Sequence, residues 1–85
     1  LNPSGQEVYL KPANSFVEPD CTFTYGQLVV EGKRQENIIW GIVWAETSKP
    51  DTPLQGRIEI NPDRKTSMQL SSDDKVIVLS GELYS

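Results

Sequence analysis

Asn37-Ile38-Ile39-Trp40-Gly41-Ile42-Val43-Trp44 is an almost unbroken apolar run inside a chain of 85 residues. In an extended strand successive side chains point to opposite faces, so Ile38, Trp40, Ile42 and Trp44 fall on one face and Ile39, Gly41 and Val43 on the other. Both faces are apolar. Such a strand belongs in the middle of a sheet that is covered on each side. A chain this short buries only about 60–65% of the surface its unfolded form exposes, so its capacity to supply two covers is the decisive question.

Val76-Ile77-Val78-Leu79 is a second strand apolar on both faces. It is entered through the turn Asp73-Asp74-Lys75 and closed by Gly81, beyond which Glu82-Leu83-Tyr84-Ser85 is expected to fray. Glu7-Val8-Tyr9-Leu10-Lys11 reads as a short strand stopped by Pro12. In Gly56-Arg57-Ile58-Glu59-Ile60 the strict alternation places Ile58 and Ile60 inward and Arg57 and Glu59 outward, as in an edge strand forming a long-looped hairpin with the central one. The prolines, Thr, Ser and Asp of Glu46 to Gln55 supply the loop. Asn14 to Cys21 is a loop pinned by Phe16 and Val17, and Lys65 to Ser72 a crossing loop anchored by Met68 and Leu70.

The one helix has a readable start. With Thr24 as N-cap, Gln27 completes a capping box, and Phe23 can staple onto Leu28. Tyr25, Leu28, Val29 and Gly32 then follow the stripe of a helix with one buried face, and Lys33 and Arg34 complement its C-terminal dipole. This stripe covers one sheet face only. The expected fold is α+β: a mixed or antiparallel four-stranded sheet with one principal helix on one face, in the order strand, helix, strand, strand, strand. Residues 1–6 read as an N-terminal tether and residues 7–85 as a single domain. The chain opens on Leu1 rather than Met, which suggests a piece of a longer protein.

The net charge of −4 and the absence of any long basic run argue against nucleic acid as a partner. No apolar run approaches the roughly 18–20 residues of a membrane-spanning helix, so no direct membrane contact is expected. One cysteine and no histidine leave no intramolecular disulfide and fit a reducing compartment. Cys21 lacks a basic neighbour to activate it and is either an inert thiol or a nucleophile of unusual setting. Asp63, Asp73 and Asp74 are either solvated turn carboxylates or a Ca²⁺ site gathered by folding, their spacing not being that of a dedicated loop. Lys33 and Arg34 cap a helix end or bind an anion. No activated nucleophile, histidine or paired carboxylates point to catalysis, and no metal or cofactor is expected.

Trp40 and Trp44 either pack under the helix or meet a second protein surface, where aromatic residues are enriched. A stripe of three or four side chains cannot cover both sides of a sheet whose central strands are apolar all round. The candidate interface is therefore Ile39, Trp40, Ile42, Val43, Trp44, Ile77 and Leu79.

Gly56-Arg-Ile-Glu-Ile-Asn-Pro-Asp63 followed by Leu70-Ser-Ser-Asp-Asp74-Lys-Val-Ile-Val-Leu-Ser-Gly81 resembles the end of the C-terminal lobe of regulator-of-potassium-conductance domains, also called TrkA-C domains. There a hairpin strand leads through a proline-containing turn to a leucine, a Gly-Asp turn and a final apolar strand ending in Gly. Here Asp73 stands where Gly is usual. The opening Glu7-Val-Tyr-Leu-Lys-Pro-Ala13, the helix start Thr22-Phe-Thr-Tyr25, the basic end Lys33-Arg34-Gln-Glu36 and Ile39-Trp-Gly-Ile42 leading into Ile60-Asn-Pro62 are most similar to the Castor/Pollux group of ion channels. The resemblance spans roughly Glu7 to Gly81. It implies a cytoplasmic regulatory and oligomerisation lobe of a potassium or related cation channel or transporter. The implied partners are a second copy or the preceding lobe of the same channel, with a small regulatory ligand also possible in that family. A reading independent of the resemblance is a free-standing adaptor that captures a protein or peptide along the Gly56–Ile60 strand.

Overall fold

The computed structural model describes residues 7–80. The tether at residues 1–6, the closing Gly81 and the frayed end at 82–85 lie outside the described residues. Six strands and one helix follow in the order β1 (Glu7–Pro12), β2 (Phe23–Thr24), α1 (Tyr25–Arg34), β3 (Asn37–Val43), β4 (Ile58–Ile60), β5 (Ser67–Met68) and β6 (Lys75–Ser80). The main sheet is antiparallel throughout, ordered β1-β6-β3-β4, and β2 and β5 form a separate two-stranded ladder. The expected α+β class and four-stranded sheet are therefore present, with the two doubly apolar strands, β3 and β6, at its centre.

The capping box forms as the sequence dictates. The Thr24 hydroxyl accepts from the Gln27 backbone N–H at 3.1 Å, and the Gln27 side chain accepts from the Thr24 N–H at 2.8 Å. Two further N–H groups at the helix start, those of Tyr25 and Gly26, donate to the Thr66 and Arg64 carbonyls. Donors that a helix N-terminus leaves without intrahelical partners are thus met by the loop that crosses it. That loop also carries β5, which pairs Met68 with Phe23 and Ser67 with Thr24, a ladder that the expected order of strand, helix, strand, strand, strand does not contain. Met68 and Leu70 anchor it in the core as expected.

Tyr25 and Leu28 of α1 pack over Ile39, Ile42, Val76 and Val78, with Phe16 and Phe23 closing the periphery. Gly32 lets the helix approach β3 closely, since a Cβ there would lie 2.5 Å from Ile39 Cγ1. Ile39 and Ile42 belong to the same buried cluster, so the expectation that they lie on opposite faces is corrected. The cause is a β-bulge. Ile39 pairs with Val78 and Gly41 with Ile77, leaving Trp40 without a counterpart on β6 and shifting the alternation by one residue.

Asp74 corrects a second expectation. It is fully buried, not a solvated turn residue. Its Oδ1 accepts from the Ala45 N–H at 2.7 Å and the Ser48 hydroxyl at 2.8 Å, and its Oδ2 from the Ser71 N–H at 2.7 Å and the Ser71 hydroxyl at 3.2 Å. The Asp74 carbonyl also accepts from the Ala13 N–H at 2.9 Å. One residue thereby ties together the exits of β1 and β3 and the entry to β6. Asp73, just before it, has a negative φ.

Candidate association surface

The strand register sorts the side chains of the main sheet into rows. Tyr9, Val78 and Ile39 form one row on the helix side, and Lys11, Val76, Ile42 and Glu59 another. The opposite face carries Val8, Leu79 and Ile38, then Leu10, Ile77, Gly41 and Ile60, then Pro12, Lys75, Val43 and Ile58. Three adjacent rows with Lys75 as their one charged residue make a continuous apolar face.

No element among the described residues packs over this face. Val8 is 55% exposed, Leu10 57%, Ile38 54% and Ile60 60%, with Trp40 at 44% beside them. Ile77 is only 9% exposed yet lies outside the core cluster, because its own row neighbours shield it. Solitary exposed aliphatics are ordinary, but contiguous rows of them mark a contact surface. Fully burying one such side chain contributes about 1.5–3 kcal/mol, so covering the exposed half of Val8, Leu10, Ile38, Trp40, Ile58 and Ile60 would yield roughly 4–9 kcal/mol against association costs of about 4–15 kcal/mol. The face alone therefore supports weak pairing. Tethering within a larger assembly would make that pairing stable.

Of the residues singled out in the sequence, Trp40 is exposed, while Ile77, Leu79 and Val43 lie on the open face. Ile39 and Ile42 are interior and leave the candidate interface. Trp44 is half-buried against the core. Its indole N–H donates to Glu59 at 3.0 Å, and the Lys49 ammonium stands 5.0 Å from its ring centroid, so it braces the β3–β4 loop. Val8, Leu10, Ile38, Ile58 and Ile60 belong to the surface and lie outside the expected interface. Ile58 and Ile60, expected to point inward, are instead exposed on the uncovered face, and Glu59, expected outward, shares the helix side with Ile42. The strand is also shorter than expected, because Gly56 and Arg57 belong to a 3-10 turn over Leu54–Arg57.

The polar candidates are dispersed. Both Asp74 oxygens are committed to protein donors, and Asp63 Oδ1 accepts from the Lys65 N–H at 2.7 Å. No group of three or more Cys, Asp or Glu side chains suited to a metal occurs among the described residues. Cys21 is exposed. Arg34 pairs with Glu31 at 2.7 Å within the helix, and the Gln35 amide and the Arg34 guanidinium hold the Glu31 carboxyl below its ordinary range. No helix among the described residues is long and apolar enough to cross a membrane.

No protein-family model matches the sequence, and no curated protein matches it at a significant level.

Proposed function

We propose that this chain is an association lobe, and specifically a cytoplasmic regulatory and oligomerisation lobe of a potassium or related cation channel or transporter. The observation that carries the reading is the open face of the main sheet, three rows apolar apart from Lys75, on strands whose other side carries the buried core under α1 and the loops bearing Phe16 and Leu70. The likeness of Gly56–Asp63 and Leu70–Gly81 to TrkA-C lobes supplies the channel context. In this role the lobe acts as a rigid body. A neighbour, either a second copy or the preceding lobe of the same polypeptide, covers the face, and a difference in that contact between closed and open states shifts the population of the gate.

The test is the coding sequence upstream of Leu1 followed by cation flux in liposomes. Membrane spans upstream, and flux whose regulation is lost in Leu10→Glu with Ile60→Glu, are the expected results. A short reading frame without spans would overturn the channel reading. It would favour a free-standing adaptor, for which the specific observation is that β4 lies at a sheet edge.

A further inference from the structure

β1 forms one edge of the main sheet. It pairs with β6 from Glu7 with Ser80 to Pro12 with Lys75, and its other side has no strand neighbour among the described residues. Its side chains are exposed from Glu7 to Leu10. The direction of its backbone groups follows from its end. The Ala13 N–H donates to the Asp74 carbonyl at 2.9 Å, one step beyond the pair of Pro12 with Lys75. In an antiparallel ladder the backbone groups of alternate residues point to the same side. Lys11, Tyr9 and Glu7 therefore address β6, while Val8 and Leu10 turn both N–H and C=O outward. Pro12 falls in the outward set, where its missing N–H breaks no bond of the sheet.

Glu7-Val8-Tyr9-Leu10-Lys11 is complementary to itself when reversed. When it is laid antiparallel on a second copy about a twofold axis at Tyr9, Val8 meets Leu10 and Leu10 meets Val8. Each of these pairs exchanges both main-chain bonds, because every member points its groups outward. Tyr9 meets Tyr9 of the second copy. Glu7 meets Lys11 at both ends, an attractive cross-strand pair on the helix side of the sheet, where the Tyr9 hydroxyl donates to Glu7 Oε1 at 2.8 Å. Shifted registers lose this match. Centred on Val8, Glu7 faces Tyr9 and not Lys11; centred on Leu10, Val8 faces Pro12, which has no N–H to give. Lysine and proline ordinarily guard an edge against pairing; here they leave one register favoured.

We infer that β1 is the seam of a twofold homodimer, in which two copies join edge to edge through Glu7–Lys11 and their four-stranded sheets become one. A second copy is the occupant because the run of charge from Glu7 to Lys11 is answered by the same segment reversed. The inference rests on the association reading above for the existence of a neighbour, and assigns that neighbour the edge of the sheet in place of its open face. Val8 and Leu10 belong to both, so the join lays two open faces side by side as one apolar surface. Glu7 and Lys11 lie on the other side of the sheet, and Ile60 on the far edge strand β4, so substitutions there separate the two contacts.

The experiment combines sedimentation equilibrium of the full 85-residue chain with amide hydrogen exchange at Val8 and Leu10. Glu7→Lys and Lys11→Glu each set like charges opposite one another at both ends of the seam, and each is expected to weaken pairing about tenfold. An equimolar mixture of the two variants, and the double variant Glu7→Lys with Lys11→Glu, are expected to pair within about threefold of wild type, since both restore opposite charges across the seam. Exchange at Val8 and Leu10 is expected to slow as concentration rises, in wild type and in Ile60→Glu alike. The inference is overturned if the single variants pair as wild type does, if their mixture stays as weak as either alone, or if exchange at Val8 and Leu10 ignores concentration. Pairing that is indifferent to both charges but lost in Ile60→Glu overturns the edge contact and upholds the open face. A wild-type chain that stays monomeric up to about 1 mM overturns both. Charge effects as expected, with Ile60→Glu pairing like wild type, uphold the edge and remove the second copy as the cover of the face.

Discussion

Replacing Asp74 tests how the loops at the end of the sheet are held. In Asp74→Ala the N–H groups of Ala45 and Ser71 lose their acceptor, as do the hydroxyls of Ser48 and Ser71. The hydroxyls can turn to other partners, but the two N–H groups are fixed by the backbone. At about 1–3 kcal/mol for each of the two N–H groups left unsatisfied, the variant is expected to lose roughly 2–6 kcal/mol. A chain of this size has about 4–13 kcal/mol in total, so the loss is a large share of its stability. Asp74→Asn keeps one acceptor oxygen but aims an NH₂ group at donors, and is expected to cost about 2–3 kcal/mol. Urea unfolding followed by tryptophan fluorescence is the assay. With a slope near 1 kcal/mol/M the midpoint should fall by about 2 M or more in Asp74→Ala, while the exposed neighbour Asp73→Ala stays within about 0.5 kcal/mol of wild type. Equal midpoints for Asp74→Ala and Asp73→Ala would refute the reasoning.

Further outcomes follow from the packing. A Cβ at Gly41 would collide with the Glu59 carbonyl and lie 3.0 Å from Ile60 Cα, so Gly41→Ala is expected to cost at least about 2 kcal/mol in thermal unfolding and to detach β4; a change within 0.5 kcal/mol would contradict this. Thr24→Ala removes the hydroxyl half of the capping box and should cost about 1 kcal/mol by urea unfolding, with Thr24→Ser recovering most of it. Burial raises the Tyr25 hydroxyl above its ordinary value of 10.0, against a smaller opposing pull from Arg64. The folded chain thus holds that proton longer than the unfolded one. The associated stability is complete below about pH 10 and is lost as pH rises through the folded value. Because this hydroxyl is buried without a hydrogen-bond partner among the described residues, Tyr25→Phe should leave neutral-pH stability unchanged or raised by about 1 kcal/mol, and should flatten the alkaline limb of a stability profile.

The sequence shows the helix and the sheet centre because local rules and global packing agree there. Thr24 and Gln27 define the helix start, and the stripe of Tyr25, Leu28 and Gly32 becomes its buried face. The same residue pattern in β3 and β6 marks them as central. The facing of β3 beyond Trp40 was illegible, because a bulge depends on the register against β6 and not on β3 alone. This is why Ile39 and Ile42, separated by strict alternation, share the core. Asp74 looks in the sequence like any turn acid; its burial comes from donors on Ala45 and Ser48, more than twenty residues away in the chain. The prospect of an uncovered face was readable from counting one helix against two doubly apolar strands, whereas its membership required the pairing partners Val8, Leu10 and Ile58.

Sedimentation equilibrium across a dilution series bears most directly on the uncovered face as a contact surface. The wild-type chain, 9.5 kDa as a monomer, is expected to rise toward twice that mass at high micromolar concentration, while Leu10→Glu with Ile60→Glu, folded by circular dichroism, stays monomeric. A wild-type mass that remains monomeric up to about 1 mM, the weakest pairing worth the name, would contradict it.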